Sequence, residues 1–135
     1  MITAVDANVL IDLGLGDSVR ARQAARALDA CGSVGSLVVC DVVLAEFARG
    51  FAEDFDPANW VRDRGIRFDP IREETAVRAG RMHAEFERRT KRATRRPIAD
   101  FLVGAHALEQ TARLLTRDRG FYRDYFRGLR LVEPK

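Results

Sequence analysis

Lysine is nearly missing from this chain. Of its 23 basic residues only Lys91 and Lys135 are lysines, leaving 21 arginines. Cysteine is as scarce: Cys31 and Cys40 have neither a C-x-x-C spacing nor a histidine partner, which excludes a disulfide framework and a zinc-finger ligand set. Both are expected as small buried hydrophobes in a reducing cytoplasm. With 4 prolines and 10 glycines, collagen-like and mucin-like classes fall away. A membrane span needs roughly 18 consecutive apolar residues, and stretches such as Leu37–Cys40 and Phe101–Ala105 stop far short of it. Asp6, Asp12 and Asp17 stand where a secretion signal needs a basic start and an apolar middle, so a cytoplasmic location is expected.

What is present is the balance of a protein with a core. Hydrophobic residues make up 47% and charged residues 32%, so the chain has enough apolar surface to fold. Its 135 residues suit one domain spanning 1–135. The net charge is only +3, but arginine's planar fork suits phosphate and carboxylate better than an ammonium does. Six cations crowd into nine residues: Arg88, Arg89, Lys91, Arg92, Arg95 and Arg96. That run reads as a solvated helix end, a phosphate track for nucleic acid, or a dock for an acidic partner.

Apolar periodicity alternates between strand and helix. Ile2–Val5 reads as a buried strand running into a helix at Asp6-Ala7-Asn8, and Asp17-Ser18 offers an N-cap to a helix over Val19–Ala30. Leu37–Cys40 is a second strand, with Asp41 placed to cap a helix whose Leu44, Phe47 and Phe51 form a core stripe. A short helix opens at Pro57, Ile66–Phe68 is a third strand, and a long charged helix runs from Glu73 to about Arg92. Pro97 restarts the helix, with Ile98, Phe101, Leu102, Ala105 and Leu108 as its apolar face. Arg113–Thr116, a helix over Gly120–Phe126 and a strand over Leu129–Val132 complete the chain. Strands alternating with helices imply α/β architecture, a mostly parallel sheet covered on both faces in three layers.

Four acids fall where such a sheet gathers functional groups. Asp6 follows the first strand, Asp118 follows the fourth, Glu46 lies a turn inside the helix after the second, and Asp100 is in the first turn after Pro97. Each has an ordinary reading as a cap, a helix-dipole partner, a turn residue or an ion-pair partner of Arg49. Together they would share one edge, since ligands bind at the carboxyl ends of parallel strands. Carboxylates in one cleft repel one another unless a cation neutralises them. An all-oxygen set selects Mg²⁺ or Mn²⁺ over Zn²⁺. Such an ion beside abundant arginine points to phosphate chemistry with an activated water. Small residues at Gly104 and Ala107 would let another part of the chain, or a ligand, approach Asp100's helix. Gly14-Leu15-Gly16 lacks the rest of a phosphate loop. His83 and His106 read as structural or exposed, Asp12 and Asp17 as surface and capping residues, and Trp60 as packed against the covering helices.

Val5-Asp6-Ala7-Asn8-Val9-Leu10-Ile11-Asp12 resembles the opening motif of PIN domains. Val43–Phe47 resembles their second acidic motif, Pro97–Ala107 their third, and Leu114–Phe121 their fourth. The four occur in order across nearly the whole chain, at a length that suits the VapC toxins of type II toxin–antitoxin pairs. The resemblance implies a PIN-like α/β/α fold and a Mg²⁺-dependent endoribonuclease silenced by a VapB-type antitoxin, and it suggests a homodimer. Carried over by motif, Asp6 and Asp100 would be the firmest metal ligands and Asp118 would complete the site directly or through water. Glu46 would orient a metal-bound water, and Asn8 and Thr116 would support the cluster. The chain departs from some relatives after the fourth motif, where Arg119 and Gly120 stand and the next acid is Asp124. That leaves a second metal site open. Two rivals remain: a non-catalytic PIN module that binds RNA or a partner, and an aspartyl-phosphate domain. Asn8 in place of a second aspartate, and no lysine after a strand, argue against the latter.

Overall fold

A computed structural model of the chain describes residues 1–16, 18–90 and 95–135. The strands β1 (Ile2–Val5), β2 (Ser36–Val39), β3 (Ile66–Phe68), β4 (Arg113–Leu115) and β5 (Leu131–Val132) form one sheet in the order β3-β2-β1-β4-β5. Every neighbouring pair is parallel, with Ala4 beside Val38 on one side and Leu114 on the other. Parallel neighbours need crossovers, and helices supply them. They are α1 (Ala7–Gly14) and α2 (Val19–Ser33) before β2, α3 (Asp41–Ala48) and α4 (Pro57–Asp63) before β3, α5 (Glu73–Arg89) and α6 (Ile98–Gln110) before β4, and α7 (Arg119–Tyr125) before β5. The result is the expected three-layer α/β/α arrangement. Ala4, Val5, Leu37, Val38, Val39, Leu114 and Leu115 are all buried, because helices cover both faces of the central strands. The chain leaves β1 for β2 on one side and returns later to β4 on the other. The crevice above β1 and β4 is therefore the topological switch point, where such sheets bind ligands.

Several local expectations change on folding. Element ends differ from the sequence reading by a residue or more, as hydrogen bonding at fraying termini dictates. Ser18 does cap α2, its Oγ accepting from the Ala21 amide at 3.0 Å, while Asp17 lies outside the described residues. Asp41 is not the cap of α3. Cys40 takes that position, and Asp41 sits in the first turn, accepting from the Ile71 amide at 3.2 Å. Phe51 falls beyond the end of α3 yet still packs on Phe47 at 4.8 Å between ring centroids. Trp60 stacks on Phe47 at 5.0 Å, beneath the Arg64 guanidinium. Pro97 is the N-cap of α6, and Ile98 faces outward at 47% exposure. The helix is enclosed on nearly every side, so its apolar face is not a stripe: Phe101, Val103, Ala105, His106 and Ala107 are all buried. His106 donates to Asp69 Oδ2 at 2.8 Å, and Gln110 Nε2 reaches the same oxygen at 3.2 Å, so α6 is clamped to the end of β3. Gly104 admits the ring of Phe126, since a Cβ there would lie 2.3 Å from its Cζ. No helix among the described residues is long and apolar enough to cross a membrane.

Candidate active site

Asp6 ends β1 and caps α1, its Oδ1 accepting from the Ala7 amide at 2.7 Å. Its Oδ2 accepts from the Thr116 hydroxyl at 2.7 Å, and Thr116 directly follows β4. That hydroxyl in turn accepts from Asn8 Nδ2 at 3.3 Å and from the Asp118 amide at 3.0 Å. Its one proton and both lone pairs are thus in use. Asn8 Oδ1 accepts from the Arg117 amide at 3.2 Å. Hydrogen bonds therefore lock the carboxyl ends of β1 and β4 together, with Asp6 at the join.

Asp6 is 7% exposed. Burial pushes its carboxyl well above the usual range, the Thr116 and Ala7 hydrogen bonds pull it partly back, and the charges of Asp100 and Asp118 push it up again. Glu46, half-buried on α3, is raised by burial and by Asp6 and Asp100, with Arg49 opposing. Asp100 lies in the first turn of α6, and Asp118 is the N-cap of α7 without a side-chain capping bond. Four elements distant in sequence thus bring Asp6, Glu46, Asp100 and Asp118 into one electrostatic field.

A cation already sits in that field. Arg96 Nη1 donates to Asp118 Oδ2 at 2.8 Å and to Asp100 Oδ2 at 3.2 Å, and its Cζ lies 4.1 Å from the centre of the Phe121 ring. Arg96 belongs to the run that reads as a solvated helix end, a phosphate track or a dock for an acidic partner, and its guanidinium turns toward the acids. Of that run, Arg88, Arg89 and Arg95 are exposed, and Arg89 pairs with Glu85 at 2.9 Å. Lys91 and Arg92 lie outside the described residues.

Two further participants were not anticipated. Tyr122 is buried beside the cluster, and its phenol is pushed far above its ordinary value by burial and by the field of all four acids, so it stays a neutral donor. Its position four residues after Asp118 was the available signal. Asp12, expected at the surface, is buried and takes both Nε and Nη2 of Arg117, fixing the turn that carries Asp118. Apolar packing of α1 draws Asp12 inward, and the arginine makes that burial tolerable. The two cysteines are buried and free, and burial pushes the Cys40 thiol up to about 11, which leaves it inert.

The donor set fits a hard divalent ion in charge and in chemistry. It is all carboxylate, it repels itself, and it already attracts a guanidinium. Among the described residues no three carboxylate, imidazole or thiolate groups yet converge closely enough to hold one ion. Arg96 occupies the space between two of the candidates.

Fold and site together define an α/β/α protein with an acid cluster at the switch point of a parallel sheet. More particularly, a family model described as PIN domain matches residues 3–126, and the chain belongs to that family. Among solved structures it is similar to VapBC2 from Rickettsia felis, determined bound to a DNA fragment from their promoter, at TM-score 0.74 and 16% identity over 100% of both chains. DNA-bound VapBC from Salmonella typhimurium superposes at TM-score 0.71 with 15% identity, covering 100% of this chain and 99% of that one. VapC20 from Mycobacterium tuberculosis, a sarcin-ricin loop cleaving toxin, does so at 0.63 with 15% identity, covering 95% and 98%. Among curated proteins, none matches this chain in sequence.

Proposed function

We propose that this chain is an endoribonuclease of the VapC type, hydrolysing RNA phosphodiester bonds with Mg²⁺ or Mn²⁺ as the toxin of a toxin–antitoxin pair. One observation carries the reading: Asp6, Glu46, Asp100 and Asp118, from four separate elements, share a field at the carboxyl ends of β1 and β4. Membership of the PIN family supports it, as does the likeness in fold to a sarcin-ricin loop cleaving toxin.

Asp6, Asp100 and Asp118 would hold the ion, with Glu46 beside them. The ion, when bound, supplies positive charge to the phosphoryl oxygens and lowers the pKa of a water. The chain's own residues do the rest. Thr116 and Asn8 aim the Asp6 carboxylate, Glu46 with its raised pKa can take up a proton, and buried Tyr122 offers a neutral hydroxyl at the cluster. The similar VapBC structures are complexes, and we assign this chain a VapB-type antitoxin on that ground. A homodimer is part of the same proposal and is checked by sedimentation.

Asp6→Asn and Asp100→Asn should each lower RNA cleavage by at least about a hundredfold, since outer supporting groups alone cost metal sites about 10–100-fold. EDTA should stop cleavage and Mg²⁺ or Mn²⁺ restore it. Undiminished cleavage by both variants would remove the active-site assignment.

A further inference from the structure

Arg96 is held from three elements at once. Its backbone carbonyl accepts from His83 Nε2 on α5 at 2.8 Å. Its guanidinium bonds Asp100 on α6 and Asp118 at the start of α7, and it stacks on Phe121. Phe121 is itself fixed, edge-on to Phe101 with centroids 5.5 Å apart. Arg96 precedes α6, and 22 residues separate it from Asp118, so helix spacing does not account for this pairing. Tertiary structure builds a seat for one cation, and a residue of the chain fills it.

We propose that Arg96 is the chain's own counter-cation for the acid cluster, competing with the divalent ion for Asp100 and Asp118 and thereby setting the ion's affinity. The inference rests on reading the cluster as a metal site. The same Oδ2 atoms that accept from Nη1 are those an ion between the two aspartates would need. Mg²⁺ demands oxygens at about 2.0–2.1 Å in near-ideal geometry. A guanidinium bonded to both carboxylates at 2.8 and 3.2 Å takes up the place between them that the ion would need and adds a repelling charge. The coupling is reciprocal: ion binding must loosen Arg96 by the factor by which Arg96 weakens the ion. With its backbone held by His83, the displaced guanidinium remains at the rim of the site. Arg96 is thus a positioning residue that orders Asp100 and Asp118 and limits when an ion can replace it.

The test is calorimetric titration of the full chain with Mn²⁺, together with the rise in thermal midpoint that Mn²⁺ produces. Arg96→Gln should bind Mn²⁺ about tenfold more tightly than the wild type and show the larger Mn²⁺-induced rise. Arg96→Lys keeps a charge but loses the planar stack on Phe121, so it should fall between the two. It carries the test alone if the glutamine variant does not fold. Mn²⁺ affinity equal to or below wild type in a folded Arg96 variant overturns the inference. The same affinity accompanied by weakened RNA binding also overturns it, and returns Arg96 to the phosphate track. Asp6→Asn is titrated alongside. If Asp6→Asn binds less tightly while the Arg96 variants are unchanged, this inference alone fails. If Asp6→Asn is undiminished, the ion is elsewhere and the proposed function fails with it.

Discussion

Thr116 shows how much of the site hangs on single atoms. Its hydroxyl gives its proton to Asp6 and accepts from Asn8 and the Asp118 amide, and the residue is fully buried. Valine has the same shape without the hydroxyl. Thr116→Val should destabilise the protein by about 1–3 kcal/mol, because it strands buried polar partners. It should also lower cleavage about 10–100-fold by loosening Asp6, whereas Thr116→Ser should restore both. Denaturation and RNA cleavage of the pair check this. Asp6 has a second, pH-linked signature. Its carboxyl is raised by burial above the ordinary 3.8 and raised further by Asp100 and Asp118. The native form therefore binds this proton more tightly than the unfolded chain does. The associated stability is complete below the ordinary value and is lost as pH rises through the raised one. In EDTA, Asp6→Asn should melt above wild type at neutral pH, and that advantage should vanish as the pH falls toward 3.8. An advantage that grows on acidification would contradict it. Asp100→Asn should show no such gain, since Arg96 already offsets that charge and the variant gives up the ion pair.

At the scale of elements, α6 is the part most tightly specified by its neighbours. Phe126, just past α7, pushes its ring onto Gly104, and Phe101 of the same helix meets Phe86, Phe121 and Phe126. His106 and Gln110 bind Asp69 at the far end, so the helix that carries Asp100 cannot slide. Gly104→Ala would put a Cβ 2.3 Å from the Phe126 ring. In a packed core the helix or the ring must shift, at about 1–3 kcal/mol. A urea midpoint lowered accordingly, with cleavage reduced because Asp100 moves with the helix, is the expected result. An unchanged midpoint would mean that Phe126 yields freely.

For the molecule as a whole, the arginine excess matters more than the net charge of +3. With Arg96 engaged at the acids, a phosphate track along the run would consist of Arg88, Arg89, Arg92, Arg95 and Lys91. Replacing those four arginines by Gln should weaken binding to all RNAs alike, since phosphate contacts read no bases. On a single strand the log–log salt slope should flatten by roughly 0.7 for each phosphate that is no longer neutralised. A slope equal to wild type would leave the run to solvent or to a protein partner.

The architecture was legible in the sequence because its signals are local. Buried parallel strands are short apolar runs, helices repeat their apolar positions, and Ser18 and Pro97 mark helix starts. The four acids could be picked out because each sits just past a strand or in the first turns of a helix, positions that topology brings to one edge. By itself, then, the chain determined the layers, the parallel sheet and the edge where the four acids gather. It could not determine which charges meet. Asp12 looked like a surface residue until α1 packed against the sheet and Arg117 closed over it. Ile98 reads as part of the apolar face of α6 yet faces outward, while His106 takes the structural one of its two readings, buried against Asp69. Arg96 read as one cation in a basic run, yet its partners lie on α6 and at the start of α7. Only the tertiary structure decided these pairings. Contacts between residues far apart in sequence depend on how rigid elements dock, and local periodicity carries no record of that.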